Sequence, residues 1–166
     1  MKVPLKVMVE GALCVALSIA LSYVVLFAMP QGGSVSLSML PLFIFAFRRG
    51  GVYGMMAGAV TGVLHLLLGG YVVHPVQALL DYPVASAVLG LAGFFRGKKL
   101  VGITIGTLAN MTSSVLSGVI FFSEYAPKGM NVWVYSLGYN GSVVIPEGII
   151  CAVLVYLILP RLERFQ

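Results

Sequence analysis

Long stretches of this chain contain no Asp, Glu, Lys or Arg: none occurs between Glu10 and Arg48, nor between Lys99 and Glu124. Charge-free runs of that length cannot coat themselves in water. Over all 166 residues only 9% are charged and 60% are apolar, with a mean hydropathy of +1.03. A soluble domain runs at about 25% charged and about 45–50% apolar. The same figures exclude a disordered chain, a collagen and a disulfide scaffold. Cys14 and Cys151 both lie in apolar stretches and read as core residues. The chain is expected to be an all-α integral membrane protein.

A membrane helix needs about 20 apolar residues. Runs that meet or approach this fall at roughly 5–28, 36–48, 50–70, 74–95, 99–122 and 137–160. The second is short, so it must tilt or be extended by the loop before it. That loop, Met29-Pro30-Gln31-Gly32-Gly33-Ser34, has turn punctuation, and Arg48-Arg49-Gly50-Gly51 reads as a tight helix–helix turn. Pro75 and Pro83 interrupt the fourth run and Pro146 the sixth. Barrel strands would need alternating segments of about 10 residues, and nothing here alternates. If six helices start from the cytoplasm, Lys2, Lys6, Arg48, Arg49, Arg96, Lys98, Lys99, Arg161 and Arg164 share one side and only Lys128 lies on the other. This asymmetry follows the positive-inside rule. It predicts six transmembrane helices with short loops and both termini cytoplasmic, in a multi-pass protein of a bacterial or archaeal cell membrane. The bases therefore sit at membrane edges rather than on a nucleic-acid surface. The first run is too long for a secretory signal and contains Glu10, so it reads as a retained helix. Residues 1–166 read as one membrane domain, and the longest polar connection, about Ser123 to Ser136, is expected outside.

Of the five acids, Glu124 falls in that outer loop and Glu163 among arginines at the C-terminus. Glu10 is one to two turns inside helix 1, where snorkelling or a helix–helix hydrogen bond would account for it. Asp81 differs. It lies about two turns into the fourth run beside Tyr82 and Pro83, where a carboxylate is costly enough to imply function. No Lys or Arg occurs at comparable depth, so the acid suits a cationic ligand. Glu147, after Pro146, is a second candidate that could equally bond to a kinked backbone. Polar and aromatic residues gather at the outer level of Asp81: His74 and Gln77, Phe121, Phe122 and Tyr125, then Trp133, Tyr135, Tyr139, Asn140 and Ser142. An interfacial aromatic belt accounts well for Trp133 and Tyr125 but poorly for Asn140 and Asp81. Aromatic faces around one acid form a receptor for a flat cation.

Small residues form stripes at Ala12, Ala16 and Ala20 in helix 1 and at Gly50, Gly54, Gly58 and Gly62 in helix 3. Each allows a second helix to approach closely, either within the protein or on a partner. Support for catalysis is weak. His65 and His74 are nine residues apart, and no HExxH or GxSxG is present. The stretch from Gly93 to Lys99 differs from a phosphate loop in its spacing and ends in Lys98-Lys99, a charge anchor. Asn140-Gly141-Ser142 matches a glycosylation sequon by accident if the source is bacterial. No metal, cofactor or catalytic set is expected, and any ATP-driven transport requires another subunit.

Three segments carry a resemblance: Leu40-Pro-Leu-Phe-Ile-Phe-Ala-Phe-Arg-Arg-Gly50, His74-Pro-Val-Gln-Ala-Leu-Leu-Asp-Tyr-Pro83 and Tyr135-Ser-Leu-Gly-Tyr-Asn-Gly-Ser142. In this order they resemble the thiamine-specific substrate-binding (S) subunits of energy-coupling factor (ECF) transporters, over nearly the whole chain. The resemblance implies high-affinity capture of thiamine from outside, in association with a transmembrane coupling subunit and two ATPases. It implies that Ala12, Ala16 and Ala20 contact the coupling subunit. Ligand-binding positions map onto Asp81, often Glu in relatives, and onto Tyr82, Tyr135 and Asn140. Some relatives place a histidine at Ser114 and a tryptophan at Phe122, and use a lid tryptophan that is missing around Ser34 to Ser36. The expected site is Asp81, Tyr82, Ser114, Phe122, Tyr135, Tyr139 and Asn140, with the loop between helices 1 and 2 closing over it. Alternatives on the same residues are an S subunit for another vitamin or a thiamine precursor such as a hydroxymethylpyrimidine, an intramembrane enzyme using Asp81, His65 or His74, and a structural adaptor that binds no small molecule.

Overall fold

The computed structural model of the chain describes residues 3–29 and 33–163, without the side chain of Glu163. Lys2, Pro30, Gln31, Gly32 and Arg164, which entered the reading above, lie outside the described residues, as does the Glu163 side chain. Six helical stretches follow in order: α1 (Leu5–Ser22), α2 (Met39–Arg49), α3 (Gly51–Leu67), α4 (Pro75–Phe95), α5 (Lys99–Phe121) and α6 (Val132–Glu163). Between α1 and α2 a short antiparallel hairpin pairs β1 (Phe27–Ala28) with β2 (Ser34–Val35).

The polarity of this fold is inverted relative to a soluble one. α1, α4, α5 and α6 are long and apolar enough to cross a membrane, yet only 17% of the apolar stretch of α1 and 39% of that of α5 is buried. Leu13, Leu17, Ile120, Ile149 and Leu157 all point outward. Apolar surface on that scale is stable against lipid and not against water. This is a helical membrane protein. Its packed centre is α2, where Met39 to Leu42, with Phe43, Phe45, Ala46 and Phe47, are all buried. α2 contacts α1, α3, α4 and α6.

The expected run 36–48 therefore becomes an 11-residue buried helix that is too short to span, and the hairpin before it makes up the length. Its N-terminus is closed from another helix. Glu147 Oε1 on α6 accepts the Met39 N–H at 3.4 Å and the hydroxyls of Ser36 and Ser38 at 3.1 and 3.0 Å. A carboxylate suits the positive end of a helix whose first amides lack intrahelical partners. Of the two readings of Glu147, bonding to a backbone is the one the structure takes, though the backbone belongs to α2.

The glycine stripe of α3 is internal. A Cβ built on Gly58 or Gly62 would overlap the backbone carbonyl of Ser86 or Tyr82, so α3 and α4 approach backbone to backbone. α4 begins with Pro75 in its first turn, capped by His74 Nδ1, which accepts the Val76 N–H at 3.1 Å. At Leu80–Val84 it widens into a π-turn around Pro83, and it tightens into 3₁₀ geometry over Leu89–Phe95. Proline has no N–H to donate and crowds the preceding turn, which the wider π-turn accommodates. Side chains of α5 supplement the backbone here: Ser113 donates to Leu80 O at 2.7 Å and Asn110 to Ala85 O at 2.8 Å.

The base-rich ends of α1, α2 and α6 are tied together by Glu10. Its carboxylate accepts Arg48 Nε at 2.5 Å and Arg49 Nε at 2.6 Å, and Arg48 Nη1 also donates to Leu162 O at 3.1 Å. Of the two accounts of Glu10, a helix–helix hydrogen bond is the one the structure takes, doubled and strengthened by two ion pairs to α2. Two helix boundaries also differ from the expected ones. α1 stops at Ser22 rather than 28, because Val24, Val25 and Phe27 feed the hairpin, where β-branched and aromatic side chains fit best. α6 starts at Val132 rather than 137, where Asn131 Oδ1 accepts the Trp133 N–H at 2.9 Å.

Candidate ligand-binding cavity

A cavity of about 660 Å³ opens among the N-terminal parts of α4 and α6 and the C-terminal part of α5. α4 contributes Asp81 and Tyr82, two consecutive residues on the π-turn. α5 contributes Ser114 and Gly118, four residues apart on one face, and Phe122 follows directly after its last residue. α6 contributes Tyr135, Ser136, Tyr139 and Asn140. Tyr71, Tyr125 and Gly33 complete the lining from the connecting loops. All seven residues expected at the site from sequence line this one cavity.

Asp81 is the single charged residue among the described lining residues. Its Oδ2 accepts Gln77 Nε2 at 2.7 Å, and the Ser117 hydroxyl neighbours the same carboxylate. No described Lys or Arg forms an ion pair with it. Five tyrosines and Phe122 surround this charge. Tyr135 and Tyr139 stack with ring centroids 6.2 Å apart, while Phe122 lies 6.3 Å from Tyr71 and 6.0 Å from Tyr125. Tyr82 Oη accepts the Tyr71 N–H at 2.7 Å, which holds the loop after α3 against α4. On α6, Asn140 Nδ2 donates to Ser136 O at 3.0 Å and Ser136 Oγ donates to Val115 O at 3.0 Å, so α5 and α6 are joined along the cavity floor. Gly118 leaves room there, since a Cβ would collide with Ser136 Oγ as it is placed.

Sequence reasoning left out Tyr71, Gly33, Gly118 and Ser136, and it placed Tyr125 in an interfacial belt. Tyr125 lines the cavity instead, and its hydrogen bond to the Tyr71 side chain pushes its phenol above the ordinary range. The Tyr71 loop had one faint signal, the pair Gly69-Gly70, whose first member has φ +130° and makes a turn that other residues adopt with strain. Gly33, at φ +78°, approaches Tyr139 so closely that a Cβ would lie 3.0 Å from its hydroxyl. Trp133 is half exposed, as a belt residue would be. Phe121 turns away from the cavity to stack on His74 at 5.0 Å. Ala12, Ala16 and Ala20 line the exposed side of α1, opposite buried Val15 and Ser18.

The chain as a whole is similar to known proteins. The chain is 39% identical to the thiamine transporter ThiT of Bacillus subtilis (strain 168), over 95% of this chain and 93% of the other. It is 35% identical to the thiamine transporter ThiT of Lacticaseibacillus paracasei, over 93% and 87% of the two chains. Its fold superposes on a solved structure of ThiT from Listeria monocytogenes with a TM-score of 0.87, at 25% identity and 96% coverage of each chain. Residues 8–166, nearly the full length, match the thiamine transporter protein family (Thia_YuaJ), and the chain belongs to that family.

Proposed function

We propose that this protein captures thiamine from the outer side of a cell membrane as the substrate-binding subunit of an ECF-type uptake system. The observation that carries this reading is the cavity itself, one unpaired carboxylate among six aromatic rings. Thiamine combines a permanently cationic thiazolium with an aminopyrimidine. Asp81 complements the cation and the amine side, at a depth where low dielectric strengthens the attraction. Tyr82, Tyr135, Tyr139 and Phe122 offer ring faces to the heterocycles and to the positive charge. Asn140 spends its Nδ2 on Ser136 of α6 and the Ser114 carbonyl of α5 and offers its amide oxygen to the aminopyrimidine, while Ser114 adds a small hydroxyl where some relatives carry a histidine. The names of the homologues support thiamine as the ligand.

Uptake against a gradient needs an energy source. The resemblance of the chain to ECF S subunits supplies one in a coupling subunit with two ATPases, met by the exposed alanine face of α1. In this reading six helices are embedded in the bilayer, both termini are cytoplasmic and the cavity opens outward. The isolated chain binds thiamine without turning it over.

The test is a binding titration of purified protein by calorimetry or fluorescence quenching. Asp81→Asn keeps the side-chain shape and removes the charge, so thiamine affinity should fall at least tenfold, about 1.4 kcal/mol. Unchanged affinity would take the carboxylate out of recognition. A neutral hydroxymethylpyrimidine, which lacks the thiazolium, should lose clearly less affinity than thiamine on the same substitution.

A further inference from the structure

Gln77 is buried to 1% exposure, an unusual place for a primary amide in a membrane helix. All of its hydrogen-bonding groups are engaged toward the cavity side of α4. Nε2 donates to Asp81 Oδ2 at 2.7 Å and to Tyr71 O at 3.1 Å, and Oε1 accepts the Val73 N–H at 3.0 Å. The amide is thus braced by two backbone groups of the loop after α3 and directs one N–H at the acid one helical turn further on. Rotation of Gln77 would leave a buried amide unsatisfied, so the brace is stiff.

Building on the thiamine reading above, we propose that Gln77 is the positioning residue of the binding site. It fixes the rotamer of Asp81 so that the carboxylate meets the ligand's positive charge already oriented. A neutral donor suits this task. A Lys or Arg at position 77 would orient the acid equally well but cancel the charge that a cationic ligand needs. An unbraced Asp81 would lose rotational freedom on binding, a cost that preorganisation removes.

The test is a double-mutant cycle on the full-length protein, read as thiamine affinity. Gln77→Met preserves length and volume and removes every hydrogen bond; it should weaken thiamine about tenfold. In the Asp81→Asn background the same substitution should change affinity by no more than about twofold, because the full charge–charge attraction that Gln77 orients is already gone. Equal losses in both backgrounds would overturn the proposal and make Gln77 a merely structural residue, as would no loss in either. If Asp81→Asn alone leaves affinity unchanged, the site reading fails, and this inference with it. If Gln77→Met does not fold, Gln77→Asn takes its place. It retains an amide one methylene too short to span the loop and Asp81, and the same outcomes apply.

Discussion

Asp81 stands out in the sequence because a lone carboxylate in an apolar run has few inexpensive explanations. The groups that orient it do not stand out. Gln77 and Tyr71 acquire their roles only when the loop after α3 folds back on α4, a long-range event with no spacing signature. Tyr82 is a clear case of one residue with two tasks. Its ring lines the cavity and its hydroxyl accepts the Tyr71 N–H at 2.7 Å. A neutral hydrogen bond contributes about 1 kcal/mol net. Tyr82→Phe keeps the ring, so it isolates the second task, and thiamine affinity in a titration should drop by about fivefold. An unchanged affinity would mean that Tyr71 holds its place without that bond.

Between elements the decisive quantity is how closely backbones approach. The glycine stripe of α3 was legible as a close-packing surface, but its direction was not, because an identical pattern serves an internal neighbour or an external one. The structure assigns it to α4, at the turn that carries Asp81 and Tyr82. Gly62→Ala would push a methyl into the Tyr82 carbonyl and should cost about 1–3 kcal/mol by overpacking. The thermal midpoint of the detergent-solubilised protein should fall clearly. The control is Gly97→Ala, whose added methyl meets nothing within 4 Å and which should leave the midpoint in place. α3 and α5 were found within a few residues of their ends because charge or glycine punctuation marks them. The end of α1 and the start of α6 were missed. A hairpin of two-residue strands and an Asn131 cap are local contests that hydropathy alone does not register.

At the scale of the molecule two asymmetries remain, one of charge and one of surface. Arg48, Arg49, Arg96, Lys98, Lys99 and Arg161 sit at helix ends away from the cavity, while Lys128 lies in the loop beside it. If the cavity faces outward, Lys128→Cys should react with a membrane-impermeant maleimide in intact cells and Gly97→Cys only after lysis, both in a background with Cys14 and Cys151 replaced by Ser. The reverse pattern would invert the topology. The surface asymmetry concerns α1, the least buried of the four long helices, whose Ala12, Ala16 and Ala20 lie outward. Lipid gains little from methyl-sized side chains in register, whereas a partner helix gains a groove. Ala16→Trp fills that groove some distance from the cavity. Thiamine affinity of the isolated chain should stay within twofold, while co-purification with the coupling subunit, and uptake by cells, should be lost. If uptake survives the tryptophan, the partner docks on another face.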